Sequence, residues 1–200
     1  MEILIVQTAF LGDLLLAIPL IKNLKIQYPQ ARLTLVCRQG LGPLFQDLQL
    51  VDSYFEIEKG NRLSYRRAKA TLRKTHWKYI FSPHQSLRSA KLVGSFRSDF
   101  KIGFRSWWNF SFYNVRVQRD LSLPDALRQL SLLAAVSPPF SEEFSGFLMS
   151  EDSRNPSNST QCIDFRNFDL PAWAGMRVTP PASLVREHKQ FLESIPKQAV

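Results

Sequence analysis

The first residue able to do chemistry is Asp13. It follows the apolar run Ile3-Leu4-Ile5-Val6 and stands directly after Gly12, where an apolar helical pattern begins. A carboxylate in that position can act as a general base toward a hydroxyl, or as an N-cap favoured by the helix dipole. A second polar group follows the aromatic run 77–81: His84, Gln85, Ser86 and Arg88. At a strand end and a helix start, such groups can bind hydroxyls and anions. Their plainer roles are a loop histidine, a serine cap and a solvated arginine. The turn around Gly12 lacks both G-x-x-x-x-G-K-[ST] and G-x-G-x-x-G, and an acid there repels phosphate. It therefore suits hydroxyl activation better than nucleotide binding. His, Asp and Glu form no cluster at ligand spacing, so neither a metal site nor a resident cofactor is expected.

The elements that must position these groups follow from periodicity. Residues 3–6 read as a strand buried on both faces. Leu16, Leu20 and Leu24, with Ile21, give a helix whose first turn must contain Pro19, since proline has no N–H to donate. Further strands are expected at 31–37, 51–57, 77–81, 101–104 and 115–117. Helices are expected at 41–50, 64–75 and 86–94, and one from Pro124 to Val136. Strands alternating with helices at this spacing predict an α/β fold with a parallel sheet. Ligands of such sheets bind at the carboxyl ends of strands, where both polar groups stand.

The run Ile3 to Asp13, with its Leu11-Gly12-Asp13 turn, then Pro19 and the step Tyr28-Pro29-Gln30-Ala31, resembles the start of the family 9 glycosyltransferases. These are the heptosyltransferases of bacterial lipopolysaccharide core synthesis. Ser86-Leu87-Arg88-Ser89-Ala90-Lys91-Leu92 and Lys101-Ile102-Gly103-Phe104 are similar to a second family stretch. The resemblance implies a Rossmann-like parallel sheet flanked by helices, the N-terminal half of a two-domain GT-B fold. It implies Asp13 as catalytic base of an inverting heptosyl transfer, with Gly12, His84, Gln85, Ser86 and Arg88 around the acceptor. The implied acceptor is a phosphorylated glycolipid at the inner face of the cytoplasmic membrane. The implied donor is a nucleotide-sugar such as ADP-heptose, bound by a second domain. Asp125 stands where the family often has a histidine, so no function carries over to it.

Charge and composition bear on the partner. The net charge is +9 and the sequence pI about 9.8, which favours an anionic partner. From Gly60 to Arg119 the acidic complement is Asp99 alone, against basic residues that include Arg66, Arg67, Arg88 and Arg105. Inside that segment lie Phe104, Trp107, Trp108, Phe110, Phe112 and Tyr113. Arg66, Arg67, Arg105, Trp107 and Trp108 together suit a membrane interface or an anionic ligand. A groove stacking single-stranded nucleic acid is the disfavoured version, and the plainest reading is aromatics in the core beneath solvated arginines. Cys37 falls in an apolar strand and Cys162 far from it, so neither a redox motif nor a disulfide framework is expected. Neither a secretory signal nor a spanning run is evident, which predicts a cytoplasmic monomer, peripheral at the inner membrane.

Two regions are expected: a Rossmann-like acceptor-binding domain at 1–150 and an irregular tail rich in proline and serine at 151–200. One amphipathic helix is expected within the tail, at 184–195. The tail is too short and too proline-broken for a donor domain, as in a fragment, a truncated or frameshifted reading frame, or a replaced end. An acceptor domain alone should turn over poorly, because closure against a second domain orients the donor. The other class of function is a non-catalytic basic α/β module that binds an anionic glycolipid or nucleic acid.

Overall fold

The computed structural model describes residues 1–136. The expected tail, its helix at 184–195 and Cys162 lie outside the described residues.

Among the described residues there are six strands, β1 Glu2–Gln7, β2 Arg32–Arg38, β3 Ser53–Ile57, β4 His76–Ser82, β5 Arg97–Phe104 and β6 Val115–Val117. They form one parallel sheet in the order β3-β2-β1-β4-β5-β6. The helices are α1 Leu11–Leu15, α2 Ile18–Gln27, α3 Gly42–Asp47, α4 Arg62–Leu72, α5 Leu87–Gly94 and α6 Asp125–Leu130. A 3-10 turn, Ser131–Ala135, follows α6. This is the expected α/β Rossmann-like sheet flanked by helices.

Alternation along β1 builds both layers of core. Ile3 and Ile5 enter one cluster with Leu14, Leu20, Ile21 and Leu24 of α1 and α2, joined by Phe81 and by Leu130, Leu132 and Leu133. Leu4 and Val6 enter the other with Ala68 and Leu72 of α4, Ala90 and Val93 of α5, and Trp77 and Ile80 of β4. The chain thus runs outward from β1 to β3 with its helices over one face. It then returns across the other face through α4 to place β4 beside β1. The strand order reverses between β1 and β4, and at such a point the loops above neighbouring strands diverge and leave a crevice.

Three local readings change. The first helix is split, because Pro19 occupies the second position of α2 and cannot donate to a carbonyl one turn earlier. The helix expected through Val136 ends as an α-helix at Leu130 and tightens into the 3-10 turn, with Pro124 in the capping position. β5 begins at Arg97, four residues before the expected Lys101. Its first half is polar yet paired, His76 opposite Arg97 and Trp77 opposite Ser98. The Asp99 carboxylate holds His76 Nε2 at 2.6 Å and Lys78 Nζ at 3.0 Å, and both bonds keep it below the usual carboxylate range.

Candidate functional site

The carboxyl ends of β1 and β4 open into a cleft of about 220 Å³. Its lining includes Gln7, Asp13, Pro83, His84, Gln85 and Phe104, with Arg119, Asp125, Arg128 and Gln129 from the segment after β6. Asp13 is exposed and is the third residue of α1. It is not the N-cap: Phe10 takes that position, and no side chain caps this helix. The capping role considered from sequence is therefore corrected. The carboxylate is left without a hydrogen bond from any described residue, whereas its own main chain is held firmly. Gln129 Nε2 donates to the Asp13 carbonyl at 3.1 Å and Gln7 Nε2 at 3.3 Å. Gln7 Nε2 also reaches Gln129 Oε1 at 3.3 Å, joining β1 to α6 beneath the loop. Gln7 Oε1 is buried and accepts no hydrogen bond from any described residue.

His84 is half-buried and fixed through Nδ1. Thr8 Oγ1 and Ser89 Oγ each lie 3.3 Å from that nitrogen and 3.0 Å from one another. Ser86 caps α5 by accepting from the Ser89 amide at 3.1 Å, and its hydroxyl donates to Ser89 Oγ at 3.0 Å. The hydroxyl proton of Ser89 is thereby directed at Thr8 or His84. Burial pushes the His84 pKa down, nearby Asp13 pulls it up, and Lys59 adds to the lowering. At neutral pH the ring is uncharged. When Nδ1 accepts from a hydroxyl, Nε2 carries the ring proton and can donate.

Asp13, His84 and Gln85 thus share the cleft, with Gly12 adjacent to Asp13 in α1. Ser86 contributes through its cap. Arg88 lies elsewhere, in a groove between α4 and α5 that Arg66 also lines. Arg67 and Arg105 are exposed and line neither opening. Trp107 is 89% exposed, while Trp108 packs on the core under α4 and α5. Of the other aromatics, Phe104 and Tyr113 are buried, Phe112 packs on the same core, and Phe110 is exposed.

Sequence reasoning did not single out Gln7, Thr8, Arg119 or Gln129. For Gln7 a signal existed, a polar residue closing an otherwise apolar buried strand. Arg128 is structural: it pairs with Asp125 and donates to the carbonyls of Asp120 and Leu123 at 2.9 and 2.6 Å. Among the described residues Arg119 therefore remains as the exposed cation of the cleft. Among the described residues no three of His, Cys, Asp and Glu gather where they could hold a metal ion. No described helix is long and apolar enough to cross a membrane.

No protein-family model matches this sequence, and no curated protein matches it by sequence. Solved structures do match. E. coli heptosyltransferase WaaC with ADP-2-deoxy-2-fluoro heptose is 19% identical over 67% of this chain and 47% of its own, with a TM-score of 0.57. E. coli ADP-heptose lps heptosyltransferase II is 15% identical over 98% of this chain and 52% of its own, at 0.63. A glycosyl transferase family 9 protein from Veillonella parvula is 16% identical over 68% and 41%, at 0.58. The fold is therefore the one the opening motif implied, that of a Rossmann-like domain of heptosyltransferases. This chain spans about half the length of the structures it matches.

Proposed function

We propose that this protein supplies the acceptor-binding domain of an inverting glycosyltransferase of the heptosyltransferase kind, with Asp13 as general base. The observation that carries the reading is the Asp13 carboxylate. It stands in a cleft at the reversal of strand order, free of a capping bond, on a main chain clamped by Gln7 and Gln129. A base must be held still without being neutralised, and this arrangement meets both conditions.

In the proposed reaction Asp13 takes the proton of an acceptor hydroxyl as that oxygen attacks the anomeric carbon of a nucleotide-activated heptose. The C–O bond to the sugar forms, the bond to the nucleoside diphosphate breaks, and Asp13 ends protonated. The transition state has oxocarbenium character, as in glycosidases. Neutral His84 and Gln85 offer hydrogen bonds to acceptor hydroxyls, and Arg119 offers a positive charge to an acidic group on the same sugar. The donor is an ADP-heptose-like nucleotide-sugar. That assignment is supported by the ADP-heptose analogue named with the E. coli relative, and the donor's contacts belong to a second domain. The acceptor is a phosphorylated glycolipid, met by a domain that works in the cytoplasm, peripheral to the inner membrane. That fits its charge and the exposed Trp107.

The test is a parallel titration of the 200-residue chain with a phosphorylated Kdo–lipid A acceptor and with ADP-heptose. Saturable binding of the glycolipid, competed by its soluble core sugar, is expected, together with weak or no binding of ADP-heptose. Absence of glycolipid binding by a folded chain overturns the reading.

A further inference from the structure

The geometry points to a second anion site, outside the cleft: the groove between α4 and α5 is built to hold closely spaced phosphate groups. It has a volume of about 550 Å³. Arg62, Arg66 and Lys69 line it from α4, and Arg88 and Lys91 from α5. Among the described residues the remaining lining is Gly60, Tyr65 and Leu92, and none of these carries a carboxylate.

The spacing shows why this is more than a basic surface. Arg62, Arg66 and Lys69 recur at i, i+4 and i+7, so they share one stripe of α4. Arg88 and Lys91 are at i, i+3 on α5 and face that stripe. Like charges at these spacings destabilise a helix, and opposite charges would support it. Here all five are positive, and among the described residues none of the five side chains has a hydrogen-bonding or ion-pair partner. Glu58, the acid nearest α4 in the chain, is taken up by Asn61 Nδ2 at 2.6 Å. The described residues therefore leave the repulsion unrelieved, and a multiply charged anion relieves it. Three arginines can chelate phosphate oxygens through paired N–H groups, and two lysines add compact charge. Gly60, at φ 96°, takes a conformation that a side chain would strain and leaves the mouth unobstructed. One phosphate would leave most of these cations unused, so the ligand class is a di- or oligophosphate, or neighbouring phosphates of lipid headgroups. The assignment does not rest on sugar transfer by Asp13.

Inorganic pyrophosphate and tripolyphosphate are the probes, titrated into the intact chain at constant ionic strength with sulfate as reference. Both should bind tighter than sulfate and raise the thermal midpoint, because a ligand of the native state stabilises it. Arg66→Gln with Arg88→Gln should weaken pyrophosphate at least about tenfold. Arg32→Gln with Arg97→Gln removes the same charge from exposed positions at the amino ends of β2 and β5, and should leave binding within about twofold. Near-UV circular dichroism identifies any variant that has lost its fold, and Arg66→Lys with Arg88→Lys then replaces the glutamine pair. Vesicles of phosphatidylglycerol in phosphatidylcholine identify the source. Release of bound protein by pyrophosphate assigns the groove to headgroup phosphates. Retention, with pyrophosphate binding intact, assigns it to a soluble phosphate compound. The site is overturned if pyrophosphate binds no tighter than sulfate, or if both double variants lose affinity equally.

Discussion

At the scale of single residues, Asp13 and His84 respond differently to substitution. Asp13 is exposed and its carboxylate caps nothing, while the two hydrogen bonds that hold it go to its carbonyl. Asp13→Asn keeps those bonds and removes only a first-turn charge, so stability should change by less than about 1 kcal/mol. Sugar transfer by the protein working with a donor domain should fall by about 10²–10⁴-fold with acceptor affinity retained. A stability loss with unchanged transfer would return Asp13 to a structural role. His84 gives a pH signature. Its folded pKa lies below the ordinary histidine value of 6.5, chiefly through burial, so the unfolded chain takes up a proton more readily. Stability is therefore highest above 6.5 and falls as pH drops from there toward the folded pKa. Below the folded pKa this contribution stops changing. Urea midpoints of wild type and His84→Gln across that window should diverge as acid is added, with the variant flatter.

At the scale of elements, the cleft depends on α6 and the groove on α4. Gln129 is buried on α6 and reaches back to α1 across 116 residues of chain. Gln129→Ala takes one donor from the Asp13 carbonyl and one acceptor from Gln7, which should cost about 1–3 kcal/mol in urea unfolding. For α4 the anchor is Asn61, whose Oδ1 accepts from the Leu63 and Ser64 amides at 2.9 and 3.4 Å. Asn61→Ala should cost about 1 kcal/mol and weaken any ligand held by Arg62 and Arg66, both in the first turns of that helix. These two elements also mark where sequence stops being legible. β1 and β2 are plain because burial on both faces writes a continuous apolar run. Asp13 and His84 are found because strand carboxyl ends are where ligands bind. Gln129 leaves no such trace, since its partner is distant in sequence. The first half of β5 is hidden because Arg97-Ser98-Asp99-Phe100 is held by pairing and by Asp99 rather than by apolar burial. Arg88 looks like a neighbour of His84 in sequence, but the first turn of α5 carries it round to the other opening.

At the scale of the whole molecule, both openings exist because the chain winds the sheet twice, placing α4 and α5 on the face opposite α1 and α2. Among the described residues the two cores form separate clusters on either side of the sheet. Adjacent residues of β4 show it: Ile80 is fully buried in the core under α4 and α5, and Phe81 is fully buried in the core under α1 and α2. Both lie opposite β1, Ile80 beside Leu4 and Phe81 beside Ile5, in the strand pair whose carboxyl ends form the cleft. A cleft that keeps Asp13 and His84 in fixed relation needs the two faces to fold as one unit, since each residue is anchored from a different loop above that pair. Ile80→Ala should cost about 2–5 kcal/mol and Phe81→Ala about 3–5 kcal/mol, a large share of the roughly 5–15 kcal/mol typical of a domain. Because each residue fills a different cluster, the two variants test the faces separately. If the sheet couples them, each variant lowers a single urea transition, with near-UV and far-UV circular dichroism giving the same midpoint. Separate transitions, with Ile80→Ala moving one and Phe81→Ala the other, would mean that the faces melt independently. The cleft would then be no more rigid than the weaker face, and a base fixed against its acceptor would have no structural support.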